Sequence, residues 1–137
     1  MSGLSDSYKK SILNSIVSPA TAPVIPTSVQ VALCSADPGP SGSIITNEVV
    51  GTGYVRIVAT FDVPVQDISK GSASTETFWK RNGLTDLVFT IPIGQNVAYF
   101  AVVDNVSVVI GSGSCTAEAF PNGGQYELKP GAYYIEL

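Results

Sequence analysis

A chain of 137 residues has the size of one domain and can bury roughly two-thirds of its unfolded surface in a single core. Hydrophobic residues make up 45% and charged residues only 13%, about half the usual charged share, so much of the surface is polar-neutral or destined for a partner. The net charge of −4 and the absence of any Lys/Arg run argue against a nucleic-acid partner, and no apolar run approaches the roughly 18 to 20 residues that span a membrane. The start of the chain has no basic segment, apolar core and small-residue cleavage site in succession, so assembly in the cytoplasm is expected.

Leu4, Tyr8, Ile12 and Ile16 recur every fourth residue and Leu13 widens the stripe, a spacing that predicts one helix over residues 4–17. Ser5 is placed to cap it, and Asp6 falls in its first turn. Pro19 stops the helix, and Pro23 and Pro26 keep the next segment extended. Residues 1–27 therefore read as a helix and a stiff arm, and residues 28–137 as one β-sandwich domain. The apolar stripe packs either on the domain's own sheet or on a neighbouring subunit, which makes Tyr8, Ile12 and Ile16 candidate partner contacts.

From residue 28 the period switches to two. Over 28–34, Val29, Val31 and Leu33 alternate with Gln30, Ala32 and Cys34, and Asp37-Pro38-Gly39-Pro40 then makes a turn. The clearest strand is 54–61, with Val55, Ile57, Ala59 and Phe61 on one side and Tyr54, Arg56, Val58 and Thr60 on the other. Residues 64–84 read as a long polar loop with a short strand near 77–79, and length of this kind commonly marks a functional surface. Phe78, Trp79 and Arg81 lie in it and are further candidate contacts. Strands are predicted at 87–91, 97–103, 106–110, 114–120, 125–128 and 132–137, with turns at Gly94-Gln95-Asn96, Asp104-Asn105, Gly111-Ser112-Gly113, Asn122-Gly123-Gly124 and Lys129-Pro130-Gly131. The segment 97–103 is apolar on both faces, as a central strand should be. Short strands with a turn signal every eight to twelve residues give a mainly β chain: an antiparallel β-sandwich or jelly roll with a short N-terminal helix and an extended arm.

The chain contains no histidine, which removes the commonest general base and metal ligand and the usual serine or cysteine triad. Ser7-Tyr8-Lys9-Lys10 matches an S-x-x-K pattern, but no S-D-N or K-T-G element follows, and two solvated lysines beside a serine explain it better. Asp62, Asp67, Glu118, Glu127 and Glu136 are scattered, so only the fold could pair two of them for glycoside chemistry. Trp79 and the Tyr133-Tyr134 pair could stack on sugar, although in a sandwich one aromatic of such a pair belongs to the core. Cys34 and Cys115 are far apart and outside any CxxC pair, and they read as free, buried thiols, with a disulfide as the alternative. The inventory thus points to no catalytic residue, cofactor or metal, and to a non-enzyme; a small hydrolase on the same fold is the remaining third class.

Val29-Gln30-Val31-Ala32-Leu33, then Ala36-Asp37-Pro38-Gly39, then Asn47-Glu48-Val49-Val50-Gly51-Thr52-Gly53-Tyr54-Val55-Arg56 follow one another in an order that resembles a group of small tailed-bacteriophage virion proteins sharing an ALxxxDPG…NEVxGxGYxR signature. The similarity continues more weakly through Val88-Phe89-Thr90-Ile91-Pro92 and Lys129-Pro130-Gly131-Ala132-Tyr133. The resemblance implies a virion structural protein assembled in the host cytoplasm. Within that class the helix, the arm and the single domain favour a head decoration or cement protein on the capsid surface, a dimer or trimer bridging copies of the major capsid protein. The alternative is a tail-associated or tail-fibre-like protein whose loops meet the host surface.

Overall fold

The computed structural model describes residues 3–17, 28–39, 45, 47–62, 65–66, 79–104 and 108–136. In chain order these form β1 (Gly3–Leu4), α1 (Asp6–Val17), β2 (Gln30–Cys34), β3 (Ile57–Val58), β4 (Val65–Gln66), β5 (Trp79–Asn82), β6 (Leu87–Ile91), β7 (Gln95–Val103), β8 (Val109–Phe120), β9 (Gly124–Leu128) and β10 (Tyr134–Glu136). The chain is mainly β and every pairing is antiparallel, in a five-stranded sheet β1-β8-β7-β2-β3, a three-stranded sheet β10-β5-β4 and a two-stranded sheet β6-β9. The sheets pack in sandwich fashion, but among the described residues five, three and two strands do not spell out the paired four-stranded sheets of a jelly roll.

The core follows from the register of the large sheet. Val31 and Leu33 stand opposite Val102 and Phe100, and this face meets Phe89, Ile91, Tyr126, Leu128 and Tyr133 from the other elements. Edge-to-face ring pairs Phe100–Tyr134 and Phe120–Tyr126, 5.2 and 6.2 Å between centroids, join β7 to β10 and β8 to β9. The opposite face is buried too: Cys34, Ala101, Val103 and Val109 form a second apolar cluster beside Tyr99 and Ile45. β2 is therefore apolar on both sides, and its alternation does not separate core from solvent.

Two predicted elements are corrected. The strand at 54–61 shrinks to the two residues of β3 and a bridge from Phe61 to Gly83, because Tyr54 is drawn inward while Val55 is left 68% exposed. The strands at 106–110 and 114–120 merge into β8, which runs straight through Gly111-Ser112-Gly113; residues 105–107 lie outside the described residues. Gly113 sits opposite Phe100, and a Cβ there would fall 2.7 Å from the Phe100 ring. The glycine marks a close approach rather than a turn. Beyond it the ladder is irregular, since Val97 pairs with Glu118 but Tyr99 with Ser114, so β8 carries extra residues at 115–117 as a bulge.

Other expectations meet the structure more directly. β6 alternates buried and exposed without exception, and Lys129-Pro130-Gly131 is a turn closed by the Ala132 amide donating to the Lys129 carbonyl at 2.9 Å. The long loop is bounded by a pair of strands, β4 and β5, with residues 67–78 between them outside the described residues. The arm at 18–27 also lies outside them. β1 is too short to leave a sequence pattern; it pairs with Gly111 and Ser112 and fixes the start of α1 to the sheet.

Candidate interaction surface

The polar residues of the motif at 47–56 turn out to fasten a loop. Asn47 adopts a left-handed φ of 60°, which asparagine tolerates, and its carbonyl accepts from the Ser35 amide at 2.9 Å. Glu48 bridges to Cys34 at the end of β2. Its carboxylate takes Nε and Nη2 of Arg56, both at 2.8 Å, in a two-pronged ion pair, and also accepts the Tyr54 hydroxyl at 3.1 Å. That hydroxyl in turn accepts the Leu33 amide at 2.9 Å, so one side chain completes the edge of β2. Burial raises the Tyr54 hydroxyl above its ordinary range, against the pull of the Leu33 hydrogen bond and with help from the Glu48 charge. None of these three polar groups is free to bind a partner; they hold residues 47–56 in place.

What that loop presents outward is apolar. Tyr54 stacks on Phe89 at 6.3 Å; a Cβ on Gly53 would lie 3.3 Å from Thr90 Cγ2, and one on Gly51, whose φ is 133°, would lie 2.7 Å from Pro92 Cβ. These contacts run the loop antiparallel beside β6, and the same register sets Val55 beside Val88 and Val50 beside Ile93. All four are exposed, at 68%, 50%, 65% and 75%. They frame a flat strip whose middle is bare at Gly51 and Gly53, and which ends in a depression of about 440 Å³ lined by Thr52, Ile91, Pro92, Ile93 and Gly123. On β9, Glu127 opposite Val88 and Gln125 opposite Thr90 border it. A contiguous apolar surface rimmed by polar residues is the usual form of a protein contact site. The sequence pattern placed Val55 inward and so missed the strip; the lone apolar Val88 on the polar side of β6 was its one trace.

Helix α1 offers a second surface. Ser5 stands before it, but its hydroxyl donates to the Val109 carbonyl at 2.5 Å and its amide to the Ile110 carbonyl at 2.7 Å, so it ties the helix to β8. Tyr8 is half-buried and donates to Asp104 Oδ2 at 2.7 Å, while Asp104 Oδ1 accepts the Val108 amide at 2.9 Å. Burial and the neighbouring Asp104 carboxylate both raise the Tyr8 hydroxyl. Tyr8 thus serves the chain's own packing. Ile12 and Leu13 are 40% and 61% exposed, and the side chain of Ile16 lies outside the described residues.

The loop candidates do not assemble into a site. Phe78 and the Trp79 side chain lie outside the described residues, and Arg81 donates to the backbone carbonyls of Asp62 at 2.6 Å and Phe61 at 3.3 Å. Tyr133 is fully buried, donating to the Thr85 carbonyl at 2.7 Å, and is no stacking platform. The fold does bring Glu118 and Glu127 to one open groove of about 600 Å³, with Cys115, Tyr126 and Tyr134. Tyr126 is spent on the Thr116 carbonyl of the bulge at 2.6 Å, and the Tyr134 ring on Phe100. Among the described residues no three His, Cys, Asp or Glu side chains converge as a metal site. Cys34 and Cys115 are both free; burial and then the Glu48 charge push the Cys34 thiol up to about 12.

Residues 3–119 match the family model described as podophage GP4 fiber I protein gp80. The matched span takes in α1, the fastened loop, the strip and the central strands, and ends before β9. No curated protein matches the chain.

Proposed function

The chain belongs to the podophage GP4 fiber I protein gp80 family and is a phage structural protein, and from that premise we propose that it is a non-enzymatic subunit of the tail-side fibre apparatus, present as a homo-oligomer. The observation that carries this reading is the family match, whose description names a fibre. It favours the tail-fibre alternative over decoration of the capsid surface. The lack of any histidine in the chain supports a role without catalysis, and the low charge with an exposed apolar strip supports contacts with other protein subunits rather than with nucleic acid or membrane. The mechanism is buried area repeated over several copies, which gives avidity without any single strong contact.

Copy number separates the two virion locations. Virions should contain a few to tens of copies per major capsid protein shell, measured by quantitative mass spectrometry, and purified tailless heads should lack the protein. Hundreds of copies, retained on isolated heads, would return the protein to the capsid surface with the major capsid protein as partner. Turnover of a glycan or ester by the purified chain would overturn the non-enzymatic part.

A further inference from the structure

Two exposed apolar surfaces, the Ile12–Leu13 face of α1 and the strip around Val55, Val88, Val50 and Ile93, stand at opposite ends of the five-stranded sheet. Tyr8 ties α1 to Asp104, just past the last residue of β7. Val50 donates its amide to Gln95 Oε1 at 3.2 Å, at the first residue of β7. Eight residue steps along β7 separate these points by about 26 Å, whereas Leu13 lies only about 7 Å along the helix from Tyr8. One copy cannot bring its own helix face onto its own strip.

We propose that the strip is the seat of helix α1 from a second copy of this chain. The inference rests on the reading of the protein as a self-assembling virion subunit and names the contact. Dimensions agree: the strip runs about 16 Å from Val88 to Ile93, and a helix of 12 residues is about 18 Å long. The two bare glycine positions leave room for Ile12 and Leu13 between the flanking valines, next to the depression at Ile93. Charges agree as well. On the helix, Asp6 and Lys9 neutralise one another at 3.8 Å, while Lys10, one turn before Leu13, is in no ion pair among the described residues. On the strip's border, Lys129 continues the register opposite Asp86, and Glu127 beside Val88 is in no ion pair among the described residues. Lys10 of the incoming helix meets Glu127. Because helix meets strip and not its own like, each copy keeps one unused surface of each kind, and the contact closes into a ring or continues as a filament.

Two variants of the full chain test this. Leu13→Asp spoils the helix face and Val88→Asp the strip, both at exposed positions, so each should keep the far-UV circular dichroism spectrum of the parent. Each alone should sediment as a monomer where the parent sediments as an oligomer, a loss of at least about tenfold in association. Mixed in equal amounts they should form dimers and nothing larger, since one intact helix and one intact strip remain. A parent chain that stays monomeric at its highest soluble concentration would overturn the proposal and assign the strip to a different partner. Leu13→Asp assembling as the parent does, with Val88→Asp monomeric, would overturn it in favour of strip-on-strip dimers. Should either variant misfold, Lys10→Glu and Glu127→Lys serve the same logic: each weakens assembly, and mixing the two singles restores one contact. These measurements use purified protein, so locating the protein on heads would defeat the tail-side reading and leave the assembly result standing.

Discussion

β7 and the segment 47–61 pass through the same core and are held there by different means. β7 is hydrogen-bonded to β8 along one edge and β2 along the other and is apolar on both faces. The segment 47–61 pairs only through single bridges at Glu48 and Phe61 and the two residues of β3, and the Glu48–Tyr54–Arg56 group does the rest. Backbone ladders distribute the load over many bonds, whereas a side-chain fastening concentrates it in a few atoms. The first should yield to a loss of volume and the second to a loss of one charge.

Phe100→Ala should be the most damaging single change, costing about 3–5 kcal/mol in urea unfolding, because it empties the centre of the slab between Gly113 and Tyr134. Glu48→Ala should cost about 2 kcal/mol, the value of hydrogen bonds to a charged group in a partly buried site, and should expose residues 47–56 to limited proteolysis while β7 amides keep their exchange protection. If instead β7 loosens equally, the two regions are one cooperative unit and the contrast fails.

Alkaline titration sharpens the same boundary, since Cys34 lies where β2 meets Glu48. Its folded-state value is raised from 9.0 to about 12, so the neutral thiol is favoured in the fold; its contribution is complete below pH 9 and is lost as the pH climbs toward 12. Cys34→Ala should therefore flatten the fall in Tm between pH 9 and 10 by about 3 °C, roughly 1 kcal/mol for a chain of this size, before the tyrosines begin to ionise. The smallest effect is expected at the helix. Tyr8→Phe removes one hydrogen bond to Asp104, about 0.5–1 kcal/mol, and should speed amide exchange in α1 without touching the strip.

The sequence was legible where one face of an element meets water. β6 alternates because Val88 and Thr90 are outside and Leu87, Phe89 and Ile91 inside, and the turn at Pro130-Gly131 announces itself by residue type. Alternation failed at 54–61 because it reports how side chains sort between two sides, not whether the backbone pairs, and Tyr54 sorted inward to complete the edge of β2. Gly111 and Gly113 misled in another way: a glycine beneath an aromatic ring looks in sequence like a glycine in a turn. The strip could not be read at all. It needs Val55 beside Val88 and Val50 beside Ile93, neighbours that only the packing of a loop on a strand creates.

The bulge in β8 has a consequence for solubility. Past Ser112, among the described residues, no strand covers the outer edge of β8, and an uncovered edge is a template on which other chains can add strands without limit. Between Ser114 and Glu118 the extra residues break the regular spacing of donors and acceptors, the Thr116 carbonyl is already occupied by Tyr126, and a carboxylate follows at Glu118. A chain with so few charges, concentrated as many copies before it reaches a virion, is thereby kept from growing amyloid-like ribbons through that edge. Straightening it, by deleting the extra residues and replacing Glu118 with valine, should turn a soluble subunit into one that precipitates on standing.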